Sequence, residues 1–251
     1  MNSHANLIDL FSGTLNPKLF MDFDGTISEV DVIDAILENF ADERWLETES
    51  EWVAGRIGSR ECLRKQFSYV KATPGQLFEL IDSLNIADGF RSIIGFCGES
   101  NLSLNIVSDG FEEYIRRMLL RYLPDPRDMA RVTISANSLI PKDIDQWETA
   151  FPYFDEVCVD GCATCKPAVM QLHNPLSANT IFVGDGLSDR FAAMTANVVF
   201  AKSKLADFCH QNSIPSTTYR TLTQVAKSLD EASEAISVTL PGRLIAMSEA
   251  I

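Results

Sequence analysis

The chain has 251 residues, of which 46% are hydrophobic and 22% charged, as in ordinary globular proteins. No run of apolar residues approaches the length of about 18 that a membrane span requires, and no secretory signal is visible at the N-terminus. The net charge of −14, from 35 acidic and 21 basic residues, disfavours nucleic acid and anionic membranes as partners. We therefore expect a cytoplasmic protein with neither kind of partner.

The hydrophobic pattern divides the chain into a strand, a long helical stretch and a region where strands and helices alternate. Residues 1–17 show only a weak pattern, whereas from about 30 to 97 apolar residues recur at spacings of three and four, which predicts helices. We predict strands at 18–23, 102–107, 131–135, 180–183 and 197–200, and helices at 111–122, at 187–195 and from about 221.

Alternating strands and helices predict the fold class. Consecutive parallel strands need a crossover, which is usually a helix, so the pattern favours an α/β fold with a Rossmann-like parallel sheet and helices on both faces. The helices at 30–97 then form a small cap inserted between core segments 1–29 and 98–251. Ligands bind such sheets at the carboxyl ends of the strands.

Acidic residues follow two of the predicted strands. Asp22 and Asp24 are two residues apart, so their side chains point to the same side of an extended segment. Asp185 and Asp189 follow another strand, although each group alone is ordinary turn chemistry. Four carboxylates at one sheet edge repel one another and need a cation, and oxygen ligands favour Mg²⁺. The predicted magnesium ligands are Asp22, Asp24, Asp185 and Asp189.

Two further strand-end segments offer groups that bind phosphate. Ser108 and the Gly110 amide follow the second strand, and Lys166 stands before a proline at a predicted helix start. Ser108 is equally suited to cap the next helix, and Lys166 to lie on the surface. In combination with the acids, they indicate phosphoryl transfer with a carboxylate nucleophile, an acid/base group and a metal.

The combined motifs resemble those of the haloacid dehalogenase superfamily: Asp22-Phe23-Asp24-Gly25-Thr26, Ser108, Lys166, and Gly184-Asp185-Gly186-Leu187-Ser188-Asp189. The resemblance implies that Asp22 attacks phosphorus to form an aspartyl phosphate and that Asp24 is the general acid and base. It also implies that Mg²⁺ is bound by Asp22, the Asp24 carbonyl and Asp185, with help from Asp189. The residues that it implies for the phosphoryl oxygens are Thr26, Ser108, Gly110 and Lys166.

The helical insertion resembles the C1 cap of phosphoserine phosphatases. In those enzymes a Glu at the position of Asp31 faces the substrate amine, and an Arg at the position of Gln66 binds the substrate carboxylate. Ser108-Asp109-Gly110 also departs from their usual Ser-Gly-Gly. These departures predict that phosphoserine is a poor substrate.

The chain is more similar to the phosphatases of methionine salvage, which act on 2-hydroxy-3-keto-5-methylthiopentenyl 1-phosphate. It shares their D-F-D-G-T-I motif, the Asp nine residues after the nucleophile, and a cysteine-rich stretch ending at Cys165-Lys166-Pro167. The resemblance implies a small phosphorylated metabolite as substrate, contacted also by Asp31 and Asp109. Phosphoserine, phosphocholine and phosphoethanolamine are the alternative substrates.

Other function classes fit the sequence less well. A signalling receiver domain is about half this length and lacks the second acid and the cap, and a non-catalytic relative usually loses Asp22 or Asp24. Cys158, Cys162 and Cys165 have spacings compatible with an iron–sulfur cluster or zinc, but simple packing of thiols beside Lys166 is the favoured interpretation. The sequence does not predict the oligomeric state.

Overall fold

A seven-stranded sheet organises the chain in the computed structural model, which describes residues 3–12 and 15–239. The strands are β1 (Lys18–Met21), β2 (Leu104–Phe111), β3 (Val132–Pro141), β4 (Trp147–Ala150), β5 (Thr180–Gly184), β6 (Val198–Ala201) and β7 (Thr217–Thr218). Their order is β4-β3-β2-β1-β5-β6-β7, and all neighbouring pairs are parallel except β3 and β4. The predicted α/β class with a parallel sheet is confirmed.

Twelve helices surround the sheet in the described part of the chain. They are α1 (Ser3–Ser12), α2 (Val32–Phe40), α3 (Arg44–Val53), α4 (Ser59–Ser68), α5 (Pro74–Ser83), α6 (Phe90–Glu99), α7 (Glu112–Tyr122), α8 (Pro126–Met129), α9 (Lys166–Leu172), α10 (Arg190–Thr195), α11 (Ser203–Gln211) and α12 (Leu222–Thr239). A short 3₁₀ turn at Leu187–Asp189 precedes α10. The predicted tail after α12 lies outside the described residues, and no described helix is long and apolar enough to cross a membrane.

The central strand β1 divides the core into two layers. Leu19 and Met21 pack on the face covered by α6, α7 and α12, whereas Phe20 packs on the face covered by α9, α10 and α11. Successive side chains of a strand point to opposite faces, so an apolar run such as Lys18–Met21 suits a strand that is covered on both sides.

The register of the central strands brings their carboxyl ends together. Met21 of β1 lies beside Ile106 of β2 and Val183 of β5. The chain therefore leaves all three strands at one edge of the sheet, and the residues that follow them there belong to the acidic and phosphate-binding motifs.

The helices between β1 and β2 take two positions. Helices α2, α3 and α4 contribute residues to a cavity above the carboxyl edge of the sheet, and α5 packs beside α2 and α7. By contrast, α6 packs along α12, where the backbone of Gly89 closely approaches that of Thr223. Gly89 has φ +94°, a conformation that suits glycine. Helices α2, α3 and α4 thus lie over the ligand edge, whereas α6 packs along α12.

Candidate active site

Three carboxylates meet where β1 and β5 end. Asp22 directly follows β1, Asp185 follows β5, and Asp189 closes the 3₁₀ turn. One oxygen of each lies within 4.8 Å of an oxygen of each of the other two. Within residues 3–12 and 15–239, no other group of His, Cys, Asp or Glu side chains meets so closely, so this is the candidate cation site of the described chain.

Lys166 supplies the positive charge of this cluster. Its ammonium lies 2.8 Å from Asp22 Oδ1 and 2.6 Å from Asp189 Oδ1, and the side chain is 1% exposed. Burial alone lowers the pKa of a lysine, but the negative charges of Asp189 and Asp22 outweigh it and raise the pKa of Lys166. The residue therefore stays protonated at the floor of the site.

Asp22 retains capacity for a further partner. Burial and the nearby charge of Asp189 raise the pKa of its carboxyl well above the usual value. Although the ammonium is close, Asp22 Oδ1 accepts no hydrogen bond of good geometry from the described residues. A buried oxygen in this condition usually has a ligand, and three convergent carboxylates suit a hard divalent cation such as Mg²⁺. The residues present therefore fit that ion.

Asp189 stabilises its neighbours. Its Oδ2 accepts hydrogen bonds from the backbone N–H groups of Asp185 (2.9 Å) and Gly186 (3.1 Å), and its Oδ1 accepts one from Lys166. Because both oxygens are occupied, Asp189 orients the loop and the ammonium. The Thr26 hydroxyl, predicted to hold phosphate, donates to Asp185 Oδ1 at 2.8 Å and is completely buried. Thr26 therefore orients Asp185 in this structure.

Asp24 is held by three hydrogen bonds. Its Oδ1 accepts from the N–H of Val32 at 3.1 Å, and its Oδ2 accepts from the hydroxyls of Ser108 (3.1 Å) and Tyr114 (2.7 Å). Burial raises the pKa of Asp24 to about 6, although the hydrogen bond from Tyr114 acts in the opposite direction. A Cβ at Gly110 would overlap the Tyr114 hydroxyl and the Asp24 carboxylate, so this position requires glycine.

The segment Ser108-Asp109-Gly110 lies beside Asp24. Ser108 Oγ accepts a hydrogen bond from the Gly110 amide at 2.9 Å, so these two phosphate-binding candidates also bind each other. Asp109 lines the cavity, but its Oδ1 accepts from the backbone N–H of Thr164 at 3.0 Å. Its carboxylate is therefore directed at least partly toward the loop that precedes Lys166.

The cluster forms the floor of a cavity of about 270 Å³. Its core side includes Asp22, Asp24, Ser108, Gly110 and Asp185, with Lys166, Asp189 and Thr26 behind this surface. Its cap side carries apolar side chains and hydrogen-bonding groups: Ile33, Trp52, Leu63, Cys62, Gln66, Asp34 and Glu49. A small molecule with phosphate at the floor would contact the cap with its other end.

The cap side of the cavity is acidic. Partial removal from water raises the pKa values of Asp31, Asp34 and Glu49, and Lys204 of α11 counteracts this at Asp34 and Glu49. Gln66 Nε2 donates to Glu49 Oε2 at 3.0 Å. Asp31 also caps α2 by accepting the N–H of Asp34 at 3.1 Å. One ammonium thus faces three carboxylates, and no arginine lines this cavity in the described chain.

The sequence did not point to Tyr114 or Glu49, and although it singled out Gln66, it did not indicate that Gln66 binds Glu49. Tyr114 occupies the apolar face of α7, where an aromatic residue is expected for packing alone, and nothing local indicates its hydroxyl's partner. Gln66 and Glu49 come from different helices and meet only in the folded cap. The three cysteines at 158, 162 and 165 are half-buried in the loop before α9.

Curated proteins of similar sequence are named 2-hydroxy-3-keto-5-methylthiopentenyl-1-phosphate phosphatase, although no family model matches the chain. The protein of Brevibacillus brevis is 29% identical over 228 residues, which cover 87% of this chain and 97% of that protein. That of Geobacillus thermodenitrificans is 28% identical over 214 residues, covering 84% and 94%.

Solved structures of similar fold include phosphoserine phosphatases. A substrate-bound complex has a TM-score of 0.66 at 20% identity and covers 85% of this chain and 98% of its own. A phospho-aspartyl intermediate analogue of phosphoserine phosphatase has a TM-score of 0.65 at 21% identity, with coverages of 84% and 98%. The similarity of fold thus extends over most of the chain.

Proposed function

We propose that this chain, a phosphatase of the haloacid dehalogenase superfamily by sequence similarity and fold, hydrolyses a small phosphorylated metabolite through an aspartyl phosphate on Asp22. The observation that supports this most directly is the grouping of Asp22, Lys166 and Asp24 at the floor of one cavity. These residues provide a nucleophile, a fixed positive charge and a proton carrier.

Asp22 is the proposed nucleophile. Its carboxylate oxygen attacks phosphorus, the bond from phosphorus to the leaving oxygen breaks, and an aspartyl phosphate and an alkoxide result. Lys166, 2.8 Å from Asp22 Oδ1, favours the ionised form of the carboxyl against the effects of burial and Asp189, and it lies next to the charge that spreads over the phosphoryl oxygens. The Ser108 hydroxyl and the Gly110 amide are the proposed donors to those oxygens.

Asp24 is the proposed acid and base. With a pKa of about 6, the carboxyl is partly protonated near neutral pH, so it can donate a proton to the leaving alkoxide. The resulting carboxylate then accepts a proton from the water that hydrolyses the aspartyl phosphate. Hydrogen bonds from Ser108 and Tyr114 keep its Oδ2 in place.

Mg²⁺ is the proposed cofactor, and Asp22, Asp185 and the Asp24 carbonyl would hold it, with Asp189 in support. The spare acceptor capacity of Asp22 Oδ1 and the close approach of the acids favour such an ion. When bound, Mg²⁺ neutralises part of the charge on the phosphoryl oxygens.

The proposed substrate has an uncharged leaving group. The leaving group of phosphoserine carries an ammonium and a carboxylate, and beside Asp31, Asp34 and Glu49 only Lys204 could pair with that carboxylate. Trp52 and Leu63 add an apolar wall. The named activity of the Brevibacillus brevis relative makes 2-hydroxy-3-keto-5-methylthiopentenyl 1-phosphate the first compound to test. The acidic side chains of the cap also suit the cationic leaving groups of phosphocholine and phosphoethanolamine, so these two compounds are the second choice of substrate.

Two expectations from the sequence complete the proposal. The chain works in the cytoplasm without a nucleic-acid or membrane partner, which its net charge of −14 favours. The insertion at 30–97 supplies the proposed cap through α2, α3 and α4, while its last helix, α6, packs along α12.

Hydrolysis of p-nitrophenyl phosphate tests the chemistry. We expect turnover to require Mg²⁺ and to be lost in Asp22→Asn, and acid quenching of the wild type to trap phosphate covalently on the protein. Asp88→Asn is the matched control, because Asp88 is an exposed acid outside the cavity. Undiminished turnover in Asp22→Asn would exclude the covalent route.

A substrate panel tests the leaving-group assignment. We expect kcat/KM for glycerol 3-phosphate to exceed that for phosphoserine at least about tenfold, because the carboxylate of phosphoserine finds acidic side chains and no arginine in the cavity. Glu49→Gln should reduce the ratio of the two kcat/KM values. Glu47→Gln should leave that ratio unchanged, because Glu47 is an exposed residue of the same helix. A tenfold preference of the wild type for phosphoserine would refute the assignment.

A further inference from the structure

Asp109 lies where three parts of the protein meet: β2, the first turn of cap helix α4, and the loop before Lys166. Its carboxylate accepts a hydrogen bond from the backbone N–H of Thr164 at 3.0 Å. The hydroxyl of Ser59, the first residue of α4, lies close enough to this carboxylate to counteract the rise that burial causes in its pKa. The backbone carbonyl of Asp109 accepts a hydrogen bond from the side-chain amide of Asn137 at 2.6 Å. Asp109 thus binds the loop and lies against the cap while it is itself anchored in the sheet.

The loop also binds both partners of Asp109 directly. The backbone N–H of Ala163 donates to Ser59 Oγ at 2.8 Å, so the side chain beside Asp109 also joins the cap directly to the loop. The Thr164 hydroxyl donates to the Ser108 carbonyl at 2.8 Å. Residues 163 and 164 therefore connect the cap to the phosphate-binding segment, and Lys166 follows two residues later.

The cap and the loop approach each other so closely that only glycine fits between them. A Cβ at Gly58 would overlap the backbone carbonyls of Gly161 and Asp160, and Gly161 itself has φ +62°. The N–H of Arg60 donates to the Gly161 carbonyl at 3.1 Å, and the Arg60 guanidinium lies 4.4 Å from the centre of the Phe154 ring. The contact is thus a packed junction and not a single hydrogen bond.

We propose that Asp109 is a positioning residue that holds the cap and the Lys166 loop in register, so that cap docking and the placement of the Lys166 ammonium depend on each other. This inference rests on the proposed role of Lys166 in phosphoryl transfer. In Asp109→Ala, the N–H of Thr164 loses its acceptor and Ser59 loses the carboxylate beside it, which loosens the loop on one side and α4 on the other. Misplacing a catalytic group by about 1 Å costs on the order of 100-fold in rate.

The test uses the full chain with Mg²⁺ and compares Asp109→Ala, Ser59→Ala and the double variant. Kinetics with p-nitrophenyl phosphate report on Lys166, and amide hydrogen exchange measured by mass spectrometry reports on segments 58–63 and 159–165 without turnover. We expect kcat to fall about 10- to 100-fold in Asp109→Ala, with faster exchange in both segments. The double variant should be little worse, because both side chains serve one junction. Ser68→Ala, at the exposed end of α4, is the control.

Faster exchange confined to 159–165, or unchanged kcat with unchanged exchange, would overturn the inference. Should Asp109→Ala fail to fold, Asp109→Asn keeps an acceptor for Thr164, and Ser59→Ala removes only the cap contact, so the same two readouts apply. Absence of phosphatase activity in the wild type would refute the proposed function. An active wild type whose cap exchange does not respond to Asp109 would refute this inference alone.

Discussion

Replacing Asp24 with asparagine should stabilise the protein in the absence of Mg²⁺ while it abolishes turnover. Asp24 is a buried carboxylate beside other acids, and it stays in place through hydrogen bonds from Val32, Ser108 and Tyr114. Asparagine has the same shape and no charge. Its Oδ1 can accept from Val32, and the two hydroxyls can rotate to accept from its Nδ2.

The magnitude follows from the shifted pKa. The pKa of Asp24 rises from 3.8 to about 6, and one pKa unit corresponds to about 1.4 kcal/mol, so ionised Asp24 lowers the free energy of unfolding by about 3 kcal/mol above pH 6. Between about pH 4 and 6 the carboxyl of Asp24 holds its proton in the native state and releases it in the unfolded state. The stability of the wild type therefore falls as pH rises from about 4 to 6. Imperfect hydrogen bonding of the asparagine amide costs about 1 kcal/mol. The free energy of unfolding of Asp24→Asn should therefore exceed that of the wild type by about 2 kcal/mol at pH 7.5.

Urea unfolding in EDTA at pH 4.5, 6 and 7.5 measures this difference. We expect Asp24→Asn to match the wild type in stability at pH 4.5, where the wild type has already lost about 1 kcal/mol, and to be more stable than the wild type at pH 6 and 7.5. Asp88→Asn should show no comparable trend, because Asp88 is exposed. A stability difference for Asp24→Asn that does not change with pH would refute the assignment of a raised pKa to Asp24.

Three further substitutions test the floor of the site. Lys166→Met should lower the free energy of unfolding by about 3–5 kcal/mol in urea melts without Mg²⁺, because the buried carboxylates lose their ammonium; a loss below 1 kcal/mol would contradict this. Tyr114→Phe should reduce kcat about tenfold at an unchanged circular dichroism spectrum, since Asp24 loses its 2.7 Å donor, and full activity would show that the contact is dispensable. Gly110→Ala should reduce kcat/KM about 100-fold and lower Tm, because its Cβ overlaps Tyr114 and Asp24; wild-type values of both would mean that the segment can shift.

The alternation of strands and helices and the acids after β1 and β5 were predictable from the sequence. Each is a local signal: an apolar run marks a buried strand, and a polar turn follows it. The rule that parallel strands end at one edge then places Asp22 and Asp185 together, as the structure does. Lys166 also meets this cluster.

Weakly patterned or short elements were not predictable. Helix α1 lies in a stretch of weak pattern and is stabilised by packing of its buried Leu7 and Leu10 against the core, beside α12. Strand β4 has only four residues and forms the edge of the sheet, where it pairs antiparallel with β3. Such elements form because they pack against the rest of the fold, and this contribution is absent from the local propensity of the segment.

The order of residues along the chain by itself determined the α/β architecture and the chemical groups of the site, because periodicity and strand-end motifs are properties of short segments. The tertiary structure alone decided which of these groups are exposed and which support others. It placed Thr26 behind Asp185, Tyr114 on Asp24, and Asp109 between the cap and the loop. Such contacts join residues up to 159 positions apart. They depend on how helices and loops pack over the sheet edge, and no local pattern encodes that arrangement.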